Sequence, residues 1–186
     1  MRSCIGNEWN ARESKGSRFA FRPGRVSGLA IEDVRLPLDL REWVGSGTLI
    51  CWIHEELDRF CLQDFGLTEA SYPEPICQPK TLLAILVYAY ATETFESEGI
   101  EHACKSDTAF RLLCDGTTPY ARELTLFRRR NRGLLVTLLV RLFTRALREQ
   151  FVLGEANLPL GLRHRLHEEA VERLDIARHM DTVDLD

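Results

Sequence analysis

Residues 79–130 contain the stretch of sequence that decides the fold. It opens with PKTLLAILVYAYATETF at 79–95, continues with EGIEHACKSDTAFRLLCDG at 98–116, and closes with FRRR at 127–130. Residues 82–91 are apolar on every side of a helix, which is typical of a helix buried at the centre of a domain. Pro79 suits the first turn of that helix. The stretch therefore predicts a packed helical core.

Apolar residues at helical spacing continue on both sides of this stretch. No strand pattern of any strength accompanies them. We therefore predict an all-α, compact multi-helix domain with a helix-turn-helix-like unit and a bend at Gly133 before a long amphipathic helix. Ser97 is the predicted N-cap of one short helix, and Ser106 or Asp107 that of the next. The predicted helices cover about 48–60, 79–94, 97–105, 120–132, 134–150 and 162–179, and a further short helix is expected after Ser106 or Asp107.

Composition divides the chain into three parts. Residues 1–27 are polar, rich in Gly, Ser and Arg and without periodicity, so we interpret them as a flexible basic arm. Residues 28–154 form the predicted helical domain. Residues 155–186 form a linker and an acidic C-terminal helix. A loop that contains Pro73 and Pro75 is expected over 62–78.

Positive charge is concentrated in two segments, although the formal net charge of the 186-residue chain is −4. Residues 1–26 carry six basic and two acidic side chains, and residues 121–150 carry eight arginines and two glutamates. Residues 27–120 are strongly acidic. Clusters of positive charge on an acidic chain favour a binding site for a polyanion. A solvated arginine face is the alternative.

The helix predicted over 120–132 carries the candidate DNA-binding residues. At 100° per residue, Ala121, Leu124 and Phe127 share the core side, while Arg122 and Arg129 point to the opposite side. Two short helices and a turn at 115–119 precede it, which suggests a helix-turn-helix-like arrangement with this helix in the major groove. Guanidinium groups neutralise phosphates and bond guanine in a bidentate manner. The predicted DNA-binding residues are Arg122, Thr125, Arg128, Arg129, Arg130 and Arg132.

Several blocks in order resemble the N-terminal domain of DDE-type bacterial insertion-sequence transposases, the InsH-like group. The blocks are LREWV at 40–44, PKTLLAILVYAYATETFES at 79–97, IEHACKSDTAFRLLCDG at 100–116 and FRRRN at 127–131, and the likeness extends over about 36–154. The resemblance implies a helical domain that recognises the terminal repeats of the element. It also implies a following domain in which three carboxylates hold divalent metal for strand cleavage and transfer.

The sequence departs from that family pattern at the expected contact helix. Tyr120 and Ala121 stand where the family usually has an Asp-His pair, and Leu126 replaces an arginine. Leu126 is expected on the exposed side, where it either contacts a thymine methyl or indicates that protein contact has replaced DNA reading.

Residues after Gly154 also depart from the pattern, because an acidic helix stands where the family's catalytic domain begins. Asp181, Asp184 and Asp186 are interpreted as a terminal acidic tail. Metal-assisted phosphoryl transfer needs carboxylates held in fixed geometry. We therefore predict that the chain has no intrinsic strand-transfer activity and is not an enzyme.

The six cysteines form no CxxC pair, which predicts reduced and mostly buried thiols. Neither His102 with Cys104 nor His164 with His167 has the further ligands of a zinc site, so no metal and no cofactor are expected. No segment is long enough to cross a bilayer, and no signal peptide is apparent. We predict a cytoplasmic protein with neither a membrane partner nor a small-molecule substrate.

Three functions compete. The first is a DNA-binding, truncated or stand-alone transposase domain that recognises double-stranded DNA at element ends. The second is a helical oligomerisation module, in which apolar stripes on 134–150 and 162–177 pair with a second copy or with an intact transposase. Packing of the two stripes within one chain is the competing interpretation of those stripes. The third is an enzyme, either a transposase completed in trans or a thiol catalyst, but nothing places a base beside a thiol.

Overall fold

A computed structural model describes residues 35–60, 77–151 and 158–183. Within these ranges the chain is helical and has no strand; its one β-bridge joins Asp39 to Thr92. The all-α prediction is therefore confirmed. The basic arm and most of the proline-containing loop lie outside the described residues. The helices are α1 (Arg41–Val44), α2 (Ser46–Asp58), α3 (Pro79–Ala91), α4 (Ser97–Ser106), α5 (Thr108–Leu113), α6 (Ala121–Arg130), α7 (Arg132–Gln150) and α8 (Leu160–Val183).

Helix α3 is the centre of the domain. Pro79 occupies its first turn, as predicted, and every residue from Leu82 to Ala91 is buried. Helices α2, α5, α6, α7 and α8 all pack against it. An apolar helix has no polar face to turn to water, so it is stable only when other helices surround it.

Of the predicted N-caps, only the one whose side chain bonds its own helix is confirmed. Asp107 caps α5 as predicted, since its Oδ1 accepts hydrogen bonds from the backbone N–H groups of Ala109 at 2.8 Å and Phe110 at 3.1 Å. The prediction that Ser97 is an N-cap is wrong. Ser97 is the first residue of α4, and its hydroxyl donates to Asp181 in α8 at 2.7 Å.

The break between α6 and α7 lies at Asn131 and not at Gly133. Asn131 leaves helical geometry, with φ −114° and ψ 23°, and its side-chain amide donates to the carbonyl of Phe127 at 2.9 Å. Such a side-chain bond competes with the regular backbone pattern and ends the helix. Gly133 lies inside α7.

Helices α7 and α8 pack against each other through the two predicted apolar stripes. Every residue of both stripes is buried: Leu135, Leu138, Leu139, Leu142, Phe143 and Ala146 on α7, and Leu162, Leu166, Ala170, Leu174 and Ala177 on α8. The two stripes are thus buried by contacts within one chain. This finding removes the surface on which the oligomerisation hypothesis depended.

We expect Leu174→Ala to lower the free energy of unfolding by about 2–5 kcal/mol, because a fully buried leucine side chain is replaced by a cavity between α7 and α8. Leu160→Ala is the matched control on the same helix, since Leu160 is 80% exposed, and it should change stability by less than about 0.5 kcal/mol. Urea unfolding followed by circular dichroism measures both. Equal effects would contradict the packing of α8.

Candidate nucleic-acid interface

Helix α6 presents the two faces that its sequence predicts. Leu124 and Phe127 are buried and Ala121 is half-buried, whereas Arg122 and Arg129 are exposed. The two exposed arginines are seven residues apart, so they lie on one face about 10 Å from each other along the axis. The apolar contacts anchor the helix and leave this face open to a partner.

A carboxylate closes the N-terminal end of α6. Glu101 in α4 accepts a hydrogen bond from the backbone N–H of Ala121 at 2.7 Å and another from Lys105 at 2.6 Å. The bond from Lys105, followed by that from the backbone, lowers the pKa of Glu101. A negative side chain here is favourable for the helix dipole but repels phosphate. Positive potential on α6 is therefore concentrated toward its C-terminal half.

Arg128 does not belong to the exposed face, and its assignment as a DNA-binding residue is corrected by the structure. Its side chain is 3% exposed and donates to the hydroxyl of Tyr90 at 3.1 Å and to the carboxylate of Asp181. Burial raises the pKa of Tyr90 to about 12, so the hydroxyl stays neutral and accepts this bond. A charged group that is this buried and this well bonded is a structural residue.

Asp181 in α8 bonds residues of α4 and α6 through one carboxylate. Besides Arg128, it accepts hydrogen bonds from the Ser97 backbone N–H at 3.0 Å, the Ser97 hydroxyl at 2.7 Å and the Thr125 hydroxyl at 2.7 Å. Burial alone would raise the pKa of Asp181; the bonds from Thr125 and Ser97 and the charge of Arg128 outweigh it and lower that pKa. Asp181 is therefore a buried anchor in α8 and not part of a tail. Asp184 and Asp186 lie outside the described residues.

The same contacts correct the assignment of Thr125. Its hydroxyl bonds both Asp181 and Ser97, the latter at 3.0 Å, and the side chain is half-buried. Because the hydroxyl is already occupied, it is not directed to a base or phosphate in this conformation.

The four other predicted arginines form a basic surface together with an arginine of α8. Arg129, Arg132 and Arg178 line a shallow cavity of about 400 Å³ where α6, α7 and α8 meet. Arg132 is ion-paired with Asp175 at 3.0 Å, but 39% of its side chain remains exposed. Sequence reasoning missed Arg178, because the helix that carries it is acidic overall. We refer to Arg122, Arg129, Arg130, Arg132 and Arg178 as the arginine surface.

Three large apolar side chains are exposed in the same part of the chain. Leu126 is 42% exposed, which confirms its predicted orientation beside Arg122, and Tyr120 and Leu112 are 59% and 62% exposed. Isolated exposed apolar residues are ordinary, but Leu126 lies between arginines on the candidate contact helix. Its position suits a contact with a methyl group of a partner.

The thiols follow the predicted pattern in part. Cys77, Cys104 and Cys114 are buried and form no disulfide, as expected, whereas Cys51 is exposed. Cys104 and Cys114 are hydrogen-bonded to each other. Among the residues that the structure describes, no group of three or more His, Cys, Asp or Glu side chains is placed to hold a metal ion. None of the described helices is both long and apolar enough to cross a membrane.

Residues 39–130 match the family model of a transposase domain (DUF772). This stretch belongs to that transposase domain family. The match covers α1 to α6 and ends at Arg130, so the resemblance seen in the sequence is confirmed over this range. Comparison with curated proteins and with solved structures gave no match. Helices α7 and α8, which supply Asp181 and Arg178, lie beyond the matched residues.

Loss of the Asp181 carboxylate should destabilise the transposase domain strongly. Asp181→Ala leaves Arg128 charged and buried without its acidic partner, and we expect a loss of about 3–5 kcal/mol. Asp175→Ala removes an exposed ion pair with Arg132 and should cost less than about 1 kcal/mol. Chemical denaturation measures the free energy of unfolding of both variants. Equal losses would show that Asp181 forms an ordinary surface pair and not a buried anchor.

Stability should fall in acid for the same reason. The pKa of Asp181 in the folded chain lies below the usual aspartate value of 3.8, so the unfolded chain takes up the proton at a higher pH. The stabilisation is present above pH 3.8 and is lost as the pH falls through the folded pKa. Thermal unfolding of wild type and Asp181→Asn between about pH 6 and 3 should show a shallower acid dependence in the variant. Parallel curves would contradict this.

Proposed function

We propose that this transposase domain binds double-stranded DNA through the arginine surface and has no strand-transfer chemistry of its own. The observation that carries the proposal is the exposure of Arg122 and Arg129 on one face of α6, opposite the buried Leu124 and Phe127. Membership of residues 39–130 in a transposase domain family supports the choice of DNA as the partner.

The dimensions of α6 are compatible with a major groove. Its ten residues span about 15 Å, and a major groove about 12 Å wide admits one α-helix. Arg122 and Arg129, about 10 Å apart along that helix, reach different parts of the groove wall. Arginine is suited to both tasks there, since its planar guanidinium bonds guanine edges and phosphate oxygens.

The packing around α6 supports a helix-turn-helix-like mode of binding. Helix α4 packs against both α5 and α6, and residues 114–120 connect the last two. Because Glu101 covers the N-terminus of α6, the contacts to phosphate shift to Arg129, Arg130 and Arg132 at the other end. Leu126 is placed between these arginines and Arg122, where it meets a thymine methyl in the groove.

The surroundings of Asp181 support the proposed absence of strand-transfer chemistry in the described residues. Asp181, the most buried of the C-terminal aspartates within the described ranges, is fully engaged with Arg128, Ser97 and Thr125. No cluster of carboxylates in those ranges is placed to hold the metal that such chemistry requires. The domain then acts by occupying DNA at element ends, as a binding unit or as a regulator.

Neutralising the C-terminal half of α6 tests the proposal. We expect Arg129→Gln/Arg130→Gln to weaken binding of a short duplex by about tenfold and to reduce the slope of log K against log salt by about 2, because each phosphate contact contributes about one unit. Fluorescence anisotropy across a salt series measures both quantities.

Arg35→Gln/Arg111→Gln is the matched control for that measurement. It removes the same charge from two exposed positions outside the arginine surface. It should leave the affinity within about twofold and the salt slope nearly unchanged. If the α6 variant retained wild-type affinity and slope, α6 would not be the contact helix.

A further inference from the structure

A second basic site lies on another side of the molecule, in a groove of about 970 Å³. The end of α2, the second half of α7 and the start of α8 form its walls. Five arginines and two histidines line it, against two glutamates, so its charge is positive whatever pairing the individual side chains adopt. We call it the basic groove; its arginines are Arg59, Arg141, Arg145, Arg148 and Arg163.

Two of these guanidinium groups are held in fixed planes. Arg141 lies 4.4 Å above the ring of Phe60, and Arg145 lies 4.6 Å above the ring of Trp52. Acidic side chains also orient them: Glu56 lies 3.5 Å from Arg141, and Glu55 and Glu56 lie 2.7 and 3.9 Å from Arg145. Arginines ordered in advance lose less conformational entropy when they bind an anion.

The spacing of the arginines favours a chain of phosphates over a single anion. Arg141 and Arg148 are seven residues apart on α7, which separates their backbones by about 10 Å. Arg163 reaches the groove from the first turn of α8. That turn lies at the rim of the groove, where Leu160 is 80% exposed. A helix N-terminus adds positive potential at that rim. One phosphate ion cannot contact groups distributed in this way, whereas consecutive phosphates of a nucleic acid strand can.

The basic groove is distinct from the arginine surface. Arg132 and Arg148 stand at opposite ends of α7, sixteen residues and about 24 Å apart, and no residue of the arginine surface lines the groove. We propose that the basic groove binds the sugar–phosphate backbone of DNA and is a second DNA contact of this chain. The choice of DNA as the polyanion rests on the function proposed above, but the site itself rests on its own residues.

The decisive variant is Arg148→Gln/Arg163→Gln. It removes two charges from the groove and spares Arg59, Arg141 and Arg145, whose loss would leave the buried Glu56 without partners. We expect affinity for a duplex of about 30 base pairs to fall by about tenfold and the salt slope to fall by about 2. Circular dichroism and the thermal midpoint establish that the variant is folded under the conditions of the binding measurement. The control is again Arg35→Gln/Arg111→Gln.

Combination with Arg129→Gln/Arg130→Gln separates this inference from the proposed function. Additive losses, about a hundredfold together, support both contacts. A loss only for the α6 variant overturns the groove and leaves the proposed function intact. A loss only for the groove variant overturns the arginine surface and supports the groove. Wild-type binding by both variants overturns both.

A titration with inorganic phosphate tests the source of the anion. We expect backbone amide signals of α7 near Arg148 to shift on addition of duplex DNA at micromolar concentration and not with phosphate at the same concentration. Shifts with phosphate alone and none with DNA would identify a small-anion site and overturn the inference.

Discussion

The ion pair between Arg128 and Asp181 is the contact on which the arrangement of this domain depends. It joins α6 to α8, and the further bonds to Tyr90, Ser97 and Thr125 connect α3 and α4 to the same point. Two charges removed from water are tolerated only when most of their bonding capacity is used, and Asp181 accepts four hydrogen bonds. The pair has few alternative arrangements, so it fixes the rotation of α6 about its own axis. That rotation determines which arginines reach the surface.

A second buried arginine ties α8 to the start of the described chain. Arg173 is 1% exposed and donates to the carbonyl groups of Pro37, Leu38 and Tyr90 at 2.7, 2.8 and 2.9 Å. Its guanidinium also bonds Glu169 and lies 4.8 Å above the ring of Phe143. Helix α8 lies beyond the residues that match the transposase domain, yet it contributes Asp181 and Arg173. The matched residues and α8 are thus one packed unit in the described chain.

Local periodicity in the sequence correctly predicts the buried faces of the helices. It does not predict contacts between residues that are far apart in the chain. The stripes of α7 and α8 and the buried α3 follow from helical geometry applied to apolar residues. Arg128 was assigned to the surface because it is charged, although it is four residues after Leu124 and therefore beside the core face. Its partner lies 53 residues away, and no local pattern marks Asp181 as buried. The basic groove is of the same kind: Arg141, Arg145 and Arg148 lie on α7, but its other walls come from α2 and α8, which no local pattern places beside them.

The two proposed DNA contacts are basic sites on a chain that is acidic overall. The chain carries a net charge of −4, whereas the arginine surface and the basic groove each contain five arginines. In the proposed function, long-range attraction to DNA acts at these two sites. The two sites lie about 24 Å apart along α7, less than the 34 Å of one helical turn of DNA. A duplex of about 30 base pairs is about 100 Å long and extends past both sites, so the two proposed contacts can act on one molecule of DNA. The length of α7 then sets the distance between them.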